Sequence, residues 1–179
     1  MENYSGKQSV GTVLAILVTL FCVQFCHAQQ KLPDIVKNSN HITVLRSTRE
    51  ELESVYGNPR ATQTRIGSIS KIVNYKFKDG QLEVSYAISR CASKKSAGFY
   101  DVKKDTVIKF EILLSQGVKK KALDTSSKGW SVYRDPESGA VIFTNEEIGI
   151  EYSGDDYNIT SIRYFPATRY DSLRCSTTR

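Results

Sequence analysis

Histidine is scarce in this sequence, and its scarcity limits the chemistry that the protein can perform. The chain of 179 residues contains two histidines, His27 and His41. No Gly-x-Ser-x-Gly motif surrounds a serine, and no group of cysteine, histidine and carboxylate residues has the spacing of a zinc site. The sequence therefore disfavours a histidine-dependent hydrolase and a metalloenzyme, and it predicts no cofactor.

Long hydrophobic runs are also missing, apart from one near the N-terminus. Gly11–Val23 is largely apolar, follows Lys7 and precedes Cys26-His27-Ala28, where small residues suit signal peptidase. The run is shorter than the roughly 20 residues that cross a bilayer, so a membrane anchor is the weaker alternative. We predict a signal peptide at residues 1–28, no stable membrane span after its removal, and a secreted or periplasmic protein.

Few cysteines remain once residues 1–28 are removed. Cys91 and Cys175 are then the whole set. In an oxidising compartment such a pair predicts one disulfide, which would hold the polar C-terminal tail, residues 167–179, to the rest of the protein. Two free thiols are the alternative if the protein is not exported.

Proline and glycine do not cluster into a linker, so the sequence predicts a single domain at residues 41–166. The preceding residues, 29–40, are mostly polar and are predicted to be a flexible lead-in. Within the domain, His41–Arg46 alternates as a short strand would, and residues 60–68 are predicted to form a polar connection.

One segment, from Ser47 to Pro59, carries the signals of a complete helix. Ser47 and Glu50 have the spacing of a capping box, and Gly57 and Pro59 mark the end. Apolar side chains recur at spacings of three and four, which predicts a face that covers a sheet. These side chains are Leu52, Val55 and Tyr56.

The clearest sheet signal is a β-hairpin. Lys71–Phe77 and Gln81–Ser89 each alternate apolar and polar residues, with Asp79-Gly80 between them. An Asp-Gly pair favours a type I′ turn, because glycine supplies positive φ angles at little cost.

The remaining strands extend this pattern. Thr106–Ser115 is predicted to be the longest strand and a central one, with Ile108, Phe110, Ile112 and Leu114 facing the core and Val107 and Leu113 on the other face. Four short apolar segments follow, at Trp130–Tyr133, Ala140–Thr144, Ile148–Tyr152 and Asn158–Phe165. The predicted fold class is α+β: an antiparallel meander of six to eight strands covered by one short N-terminal helix. A duplication, with one half ending near Ser115, is left open.

The best candidate binding surface combines lysines with aromatic residues. Its members are Lys94, Lys95, Phe99, Tyr100, Lys103 and Lys104, and a further basic run covers Lys119–Lys121. Clustered lysines beside aromatic rings can hold a polyanion. Nucleic acid is a poor partner for an exported protein, so an anionic envelope polymer or a protein is favoured. The alternative is that these lysines only keep loops and edges soluble.

Two acidic pairs are the remaining candidates for chemistry. Glu146-Glu147 and Asp155-Asp156 flank one predicted strand and could share a calcium ion or act as paired carboxylates. Adjacent acids in turns are more often simply solvated.

Several motifs resemble known exported proteins. The succession of Leu45–Leu52, Gly57-Asn58-Pro59 and a hairpin resembles small exported bacterial proteins of the BamE/SmpA/OmlA-like and β-lactamase-inhibitor-like type. Thr144–Ile150 and the closing Leu173-Arg174-Cys175 are similar to an uncharacterised group of such proteins from soil bacteria. The resemblance implies an α+β module that binds proteins rather than an enzyme.

The sequence therefore predicts a non-enzymatic binding module with an unidentified protein or anionic polymer as its partner. The first alternative is a proteinaceous inhibitor of an extracellular hydrolase. The second is a small hydrolase that uses the acidic pairs. The sequence makes no prediction of oligomeric state.

Overall fold

The computed structural model describes residues 32–64, 70–91, 100–125 and 128–175. The helices in these residues are α1 Asp34–Asn38 and α2 Arg49–Tyr56, with 3₁₀ helices at Ser39–His41, Lys120–Ala122 and Thr168–Leu173. The strands are β1 Ala61–Thr64, β2 Ser70–Lys76, β3 Gly80–Ala87, β4 Val107–Lys119, β5 Ser131–Arg134, β6 Val141–Asn145, β7 Ile150–Gly154 and β8 Asn158–Tyr164. The predicted signal peptide, residues 1–28, lies outside the described residues.

All eight strands belong to one antiparallel sheet, in the order β1-β2-β3-β4-β8-β7-β6-β5. The first meander, β1–β4, and the second meander, β5–β8, each run from an outer edge to the centre, where β4 pairs with β8. The predicted antiparallel sheet of six to eight strands is confirmed. The prediction of one short N-terminal helix is only partly correct, because a second helix, α1, precedes the predicted one.

The predicted longest strand, β4, is central as expected. It has 13 residues, and it lies between β3 and β8. Phe110 and Ile112 are buried as predicted, but a register shift between Ser85 and Tyr86 pairs Val107 with Tyr86. This bulge adds one residue to β4. Val107 therefore joins the core rather than the opposite face, which corrects its predicted position.

The β2–β3 hairpin is confirmed, but its turn differs from the predicted one. The Phe77 amide donates to the Gly80 carbonyl, so Lys78 and Asp79 are the central residues, and Gly80 lacks a positive φ. Glycine is needed here because a Cβ at position 80 would collide with the Leu113 carbonyl of β4. The constraint is a close approach of two strands rather than a type I′ turn.

The capping box of α2 is shifted by one residue from its predicted position. Thr48 Oγ1 accepts from the Glu51 amide (3.3 Å), and Glu51 Oε2 accepts from the Thr48 amide (2.8 Å). The Ser47 hydroxyl instead accepts from the Thr43 amide at 2.9 Å. A box at this position still ties two free amides at the start of the helix.

The predicted apolar face of α2 is only partly correct. Leu52 is buried, and the Tyr56 ring lies against Tyr75 and Phe77 with its hydroxyl donating to the Asn38 carbonyl. Val55, in contrast, is 58% exposed. The helix has eight residues, so its contact with the sheet is narrow.

The structure contradicts three predictions for segments that flank the predicted helix. The lead-in contains α1, in which Ile35 and Val36 are buried and the Ile35 amide donates to Asp79 Oδ2 at 3.2 Å. His41–Arg46 is not a strand but a 3₁₀ end followed by a turn, in which Leu45 has a positive φ. The predicted connection at residues 60–68 contains the edge strand β1.

The core is divided between two clusters. The main cluster lies between the helices and one face of the sheet, which we name the core face; Ile35 and Leu52 meet Val73, Val84 and Ile112 there. A smaller cluster forms around Leu45, Ala87 and Val102.

Cys91 and Cys175 form the predicted disulfide, with 5.6 Å between their Cα atoms. The tail is also held by contacts other than the predicted bond. Ala167 is buried, Leu173 packs against the smaller cluster, and the Leu173 carbonyl accepts from the Asp101 amide. None of the helices described is long and apolar enough to cross a membrane.

Candidate functional site

The two faces of the sheet differ in character. Successive residues of a strand point to opposite faces, so each strand that contributes Val, Ile, Phe or Tyr to the core face also presents residues on the other side. We name this other side the open face. Neither hydrophobic cluster includes the outward residues in the middle of β2, β3, β4 and β8, such as Asn74, Glu83, Glu111 and Arg163.

A continuous row of polar residues crosses the open face, and we name it the polar row. The row has one residue from each of seven strands, and each residue is the register partner of the next. In the spatial order β2-β3-β4-β8-β7-β6-β5, its members are Asn74, Glu83, Glu111, Arg163, Glu151, Thr144 and Ser131. With strands about 4.8 Å apart, the row is roughly 29 Å long. That length is comparable with the width of a typical protein interface patch.

Arg163 of β8 holds the centre of the polar row. Its Nη1 donates to Glu151 Oε1 at 2.8 Å, and its Nε and Nη2 donate to Glu111 Oε2 at 3.2 and 3.1 Å. Ser161 Oγ donates to the other Glu111 oxygen. The Arg163 side chain is 41% exposed, so the network is preformed and still open to solvent.

Glu83 of β3 lies directly opposite Glu111. Like charges in this position repel each other. Glu111 is compensated by Arg163, whereas Glu83 makes no side-chain hydrogen bond or ion pair with any described residue. With three glutamates and one arginine, the polar row is acidic within a chain whose formal net charge is +6.

A second row runs beside the polar row and is less polar. Its register partners are Lys76, Gln81, Leu113, Ser161, Ser153, Ile142 and Tyr133. Leu113 is 40% exposed and Tyr133 is 58% exposed. The open face therefore combines fixed charges with exposed apolar side chains.

The lysine-rich surface predicted from the sequence is only partly described by the structure. Lys94, Lys95 and Phe99 lie outside the described residues. Tyr100 is half-buried against the smaller cluster, and its hydroxyl accepts from Arg174 Nε at 3.2 Å, so this ring has a structural role. Lys103 and Lys104 are exposed.

The structure adds other basic residues to this region, and we name the resulting set the basic end. The smaller cluster brings together chain segments near Leu45, Val102 and Leu173. Exposed basic residues flank each of these segments, namely Arg46, Lys103, Lys104, Arg169 and Arg174. Asp171 pairs with Arg174 at 3.2 Å and reduces the local charge.

The remaining basic run does not form a free patch. Lys119 ends β4, and Lys120 and Lys121 begin a 3₁₀ helix. Lys120 Nζ lies 4.3 Å from the centre of the Phe143 ring on the core face. Through this cation–π contact, Lys120 covers the Phe143 ring.

The two acidic pairs do not come together. They lie at opposite ends of β7, whose five residues span about 16 Å. Asp155 accepts from the backbone amides of Tyr157 and Asn158, which lowers the pKa of its carboxyl. Asp156 pairs with Arg134 at 2.6 Å. In the part of the chain that the structure describes, no three His, Cys, Asp or Glu residues group as metal ligands would.

The polar row was missed by the sequence interpretation because its members come from distant segments. Glu111 and Arg163 are 52 positions apart. One signal in the sequence could have indicated the row: each of four strands has a charged residue at an outward position near its middle. These residues are Glu83, Glu111, Glu151 and Arg163. Only the strand order shows that these positions are neighbours.

Comparisons with known proteins give little beyond this geometry. No protein-family model matches the chain, and no curated protein matches it. One solved structure, the crystal structure of a DUF4309 family protein (YjgB) from Bacillus subtilis, is similar over 71% of this chain and 83% of its own. The identity is 11% and the TM-score is 0.44.

Proposed function

We propose that this protein is a non-enzymatic, exported binding module that holds a protein partner on the open face. The observation that carries the proposal is the polar row, a preformed set of charges across the middle of a sheet face that neither hydrophobic cluster of the described residues covers there. Leu113 and Tyr133 supply exposed apolar contacts beside it. Ordered charges that are held before binding reduce the entropy lost when a partner docks.

The charge pattern indicates what the partner presents. Glu83 and Glu111 lie opposite each other, and Glu83 makes no ion pair with a described residue, although Lys109, the register partner of Ser85, is exposed on the same face. A lysine or arginine of a partner, placed beside Glu83, would relieve this repulsion and favour the correct docking position. A protein inhibitor of an extracellular hydrolase is one form that such a module can take.

Export is supported by two independent features. The Cys91–Cys175 disulfide is typical of proteins that fold in an oxidising compartment. Residues 1–28 have the pattern of a secretory signal peptide. The partner is therefore expected outside the cytosol, in the envelope or the medium.

Capture from the native envelope fraction tests the proposal when matched variants are compared. We expect the wild-type protein to retain a specific protein, and Glu83→Lys and Leu113→Lys to lose it, because both changes place a cation on the open face. Val55→Lys adds the same charge at an exposed site on α2 and should retain the partner. Equal capture by all four proteins would contradict a role for the open face.

A second candidate function is supported by the basic end, where separate segments place exposed arginines and lysines together. Such a surface suits an anionic polysaccharide of the envelope. Retention on an immobilised polyanion should fall with rising salt. Retention should also fall in the Lys103→Glu and Arg169→Glu variants. It should stay unchanged in Lys76→Glu, the control, because Lys76 lies on the open face and is distant in sequence from the residues of the basic end. Retention that is unaffected by these changes would exclude this surface.

A further inference from the structure

The C-terminal tail is attached to the rest of the protein in two parts that differ in their contacts. In the first part, the Phe165 amide donates to the Gly149 carbonyl at 2.9 Å, and the Thr168 amide donates to the Glu146 carbonyl at 3.0 Å. Ala167 lies between these two residues of the tail and is 2% exposed. Backbone hydrogen bonds and burial therefore fix the start of the tail to the turn between β6 and β7.

The second part of the tail, residues 170–175, has no buried residue, and we name it the strap. The Asp101 amide donates to the Leu173 carbonyl of the strap at 2.7 Å. The hydrogen bond from Arg174 to Tyr100 joins an exposed side chain to a half-buried one. Apart from the disulfide, the polar contacts that the structure describes for the strap are therefore few and close to solvent.

The strap covers part of the smaller cluster. Its Tyr170 and Leu173 are half-buried, and both pack against the cluster of Leu45, Ala87 and Val102. These three residues keep 8%, 3% and 8% of their surface exposed. Movement of the strap would take away two of the side chains that cover them and would expose apolar surface.

The two cysteines that hold the strap share a cationic setting. Cys91 and Cys175 are each half-buried, and each follows an arginine in the sequence. Arg174 pairs with Asp171 at 3.2 Å, which offsets part of its charge. Arg90 is exposed and makes no ion pair with a described residue. A neighbouring cation stabilises a thiolate, which is both the attacking and the leaving group in thiol–disulfide exchange.

We propose that the Cys91–Cys175 disulfide is a reducible latch, and that a dithiol releases the strap while the sheet stays folded. One thiolate of the dithiol attacks a sulfur of the bond, and the other cysteine leaves as a thiolate that takes up a proton. The second thiol of the reagent loses its proton and attacks the mixed disulfide. The reagent is thereby oxidised to a disulfide, and the protein gains two electrons and two protons as two thiols.

The strap leaves its place after reduction because ordering its backbone costs entropy at every residue, while few contacts remain to offset that cost. The start of the tail stays attached, since its hydrogen bonds to Gly149 and Glu146 do not depend on the disulfide. The reduced protein therefore keeps its sheet and gains a mobile C-terminus.

Release of the strap also changes the open face. Ala87 follows Glu83 and Ser85 on the same side of β3, because alternate residues of a strand share a face. The cluster under the strap thus adjoins the open face, and reduction extends that face by an apolar patch. The release itself does not depend on what the open face binds.

Nuclear magnetic resonance relaxation of the exported chain tests the latch, with dithiothreitol as the dithiol and its oxidised form as the control. On reduction, the amide order parameters of residues 170–175 should fall below about 0.6, while those of β3 and β4 stay near 0.85. Oxidised dithiothreitol should leave the strap rigid. Cys91→Ser combined with Cys175→Ser should have a mobile strap with either reagent.

A charge change tests the setting of the bond. Arg90→Glu should slow reduction by dithiothreitol several-fold, because the attacking and leaving thiolates then meet an anion. Lys78→Glu makes the same change at an exposed site in the turn at the other end of β3 and should be reduced at the wild-type rate. A strap that stays rigid after reduction overturns the proposal. Loss of the sheet together with the strap, or a disulfide that resists dithiothreitol in the folded protein, also overturns it.

Discussion

The two meanders share a strand order but differ in what covers their core face. In the first meander, α1 and α2 supply Ile35 and Leu52 to the main cluster, and Val73, Leu82 and Val84 have no exposed surface. The second meander has no α-helix of its own among the described residues. The connection from β4 to β5 covers it instead.

This connection covers the outer strands of the second meander, β5 to β7, thinly, whereas Ile159 and Ile162 of the central β8 have no exposed surface. Trp130 stacks on Tyr152 with 5.0 Å between ring centres, and Lys120 lies over Phe143. Phe143 and Tyr152 keep 5% and 7% of their surface exposed, and Val132 at the edge keeps 63%. Two meanders with the same strand order are therefore covered by layers of different thickness on the core face. We expect the thin half to open more readily, since local stability follows buried apolar contact.

Removal of the disulfide should have the largest effect, because this bond joins the two halves. Cys91 follows β3 of the first meander, and Cys175 ends the tail that follows β8. The loop spans 84 residues, so Cys91→Ser with Cys175→Ser should lower the free energy of unfolding by about 4 to 5 kcal/mol. Urea unfolding measures the loss. A loss below about 1 kcal/mol would mean that the other tail contacts suffice.

Truncation of Leu52 tests the cover of the first meander. Leu52 is 1% exposed between α2 and the sheet, so Leu52→Ala should cost about 3 to 4 kcal/mol. Val55→Ala, on the same helix at an exposed site, is the matched control and should change stability by less than about 0.5 kcal/mol. Similar losses in both variants would show that burial of Leu52 against the sheet does not determine the cost, because alanine favours the helix at both positions.

Local patterns in the sequence were sufficient to predict the strands with apolar alternation. The seven strands β2 to β8 were expected close to their observed positions, because period-two alternation is a property of neighbouring residues. β1 and α1 were missed. The Ala-Thr-Gln-Thr sequence of β1 lacks apolar alternation, and α1 has only Ile35 and Val36 to bury. Both are stabilised by tertiary contacts rather than by their own sequence.

The candidate site was less predictable than the fold. Tyr100, Lys103 and Lys104 were found from composition, but the small cluster that adds Arg46 and Arg169 depends on segments far apart in the chain. The polar row depends on the pairing of β4 with β8, which no local pattern encodes. The resemblance to exported bacterial binding proteins stays a prediction.

Truncation of Trp130 tests the thin cover of the second meander. Trp130 is half-buried, so Trp130→Ala should cost about 2 to 3 kcal/mol, less than a fully buried tryptophan. Hydrogen exchange should accelerate at the amides of β6 and β7, while those of β3 keep the exchange rates of global unfolding. Equal acceleration in both meanders would show that the two halves unfold as one unit and do not differ in local stability.

Alkaline titration of buried tyrosines should also distinguish the two meanders, with a smaller change in the free energy of unfolding than the substitutions above. Burial raises the pKa of Tyr152 in the second meander to about 12 from 10.0, and burial also raises the pKa of Tyr86 in the first. A raised tyrosine pKa stabilises the fold below pH 10, and this stability is lost as pH rises through the folded value, because the unfolded chain releases the proton first.

We therefore expect the free energy of unfolding to fall by about 1 to 2 kcal/mol between pH 10 and 12 through Tyr152, with less loss in Tyr152→Phe. Ultraviolet absorbance of tyrosinate distinguishes the halves: local opening of the thin meander lets Tyr152 ionise before the protein unfolds, whereas Tyr86 ionises only with global unfolding. Simultaneous ionisation of both would show that the thin cover confers no separate local opening.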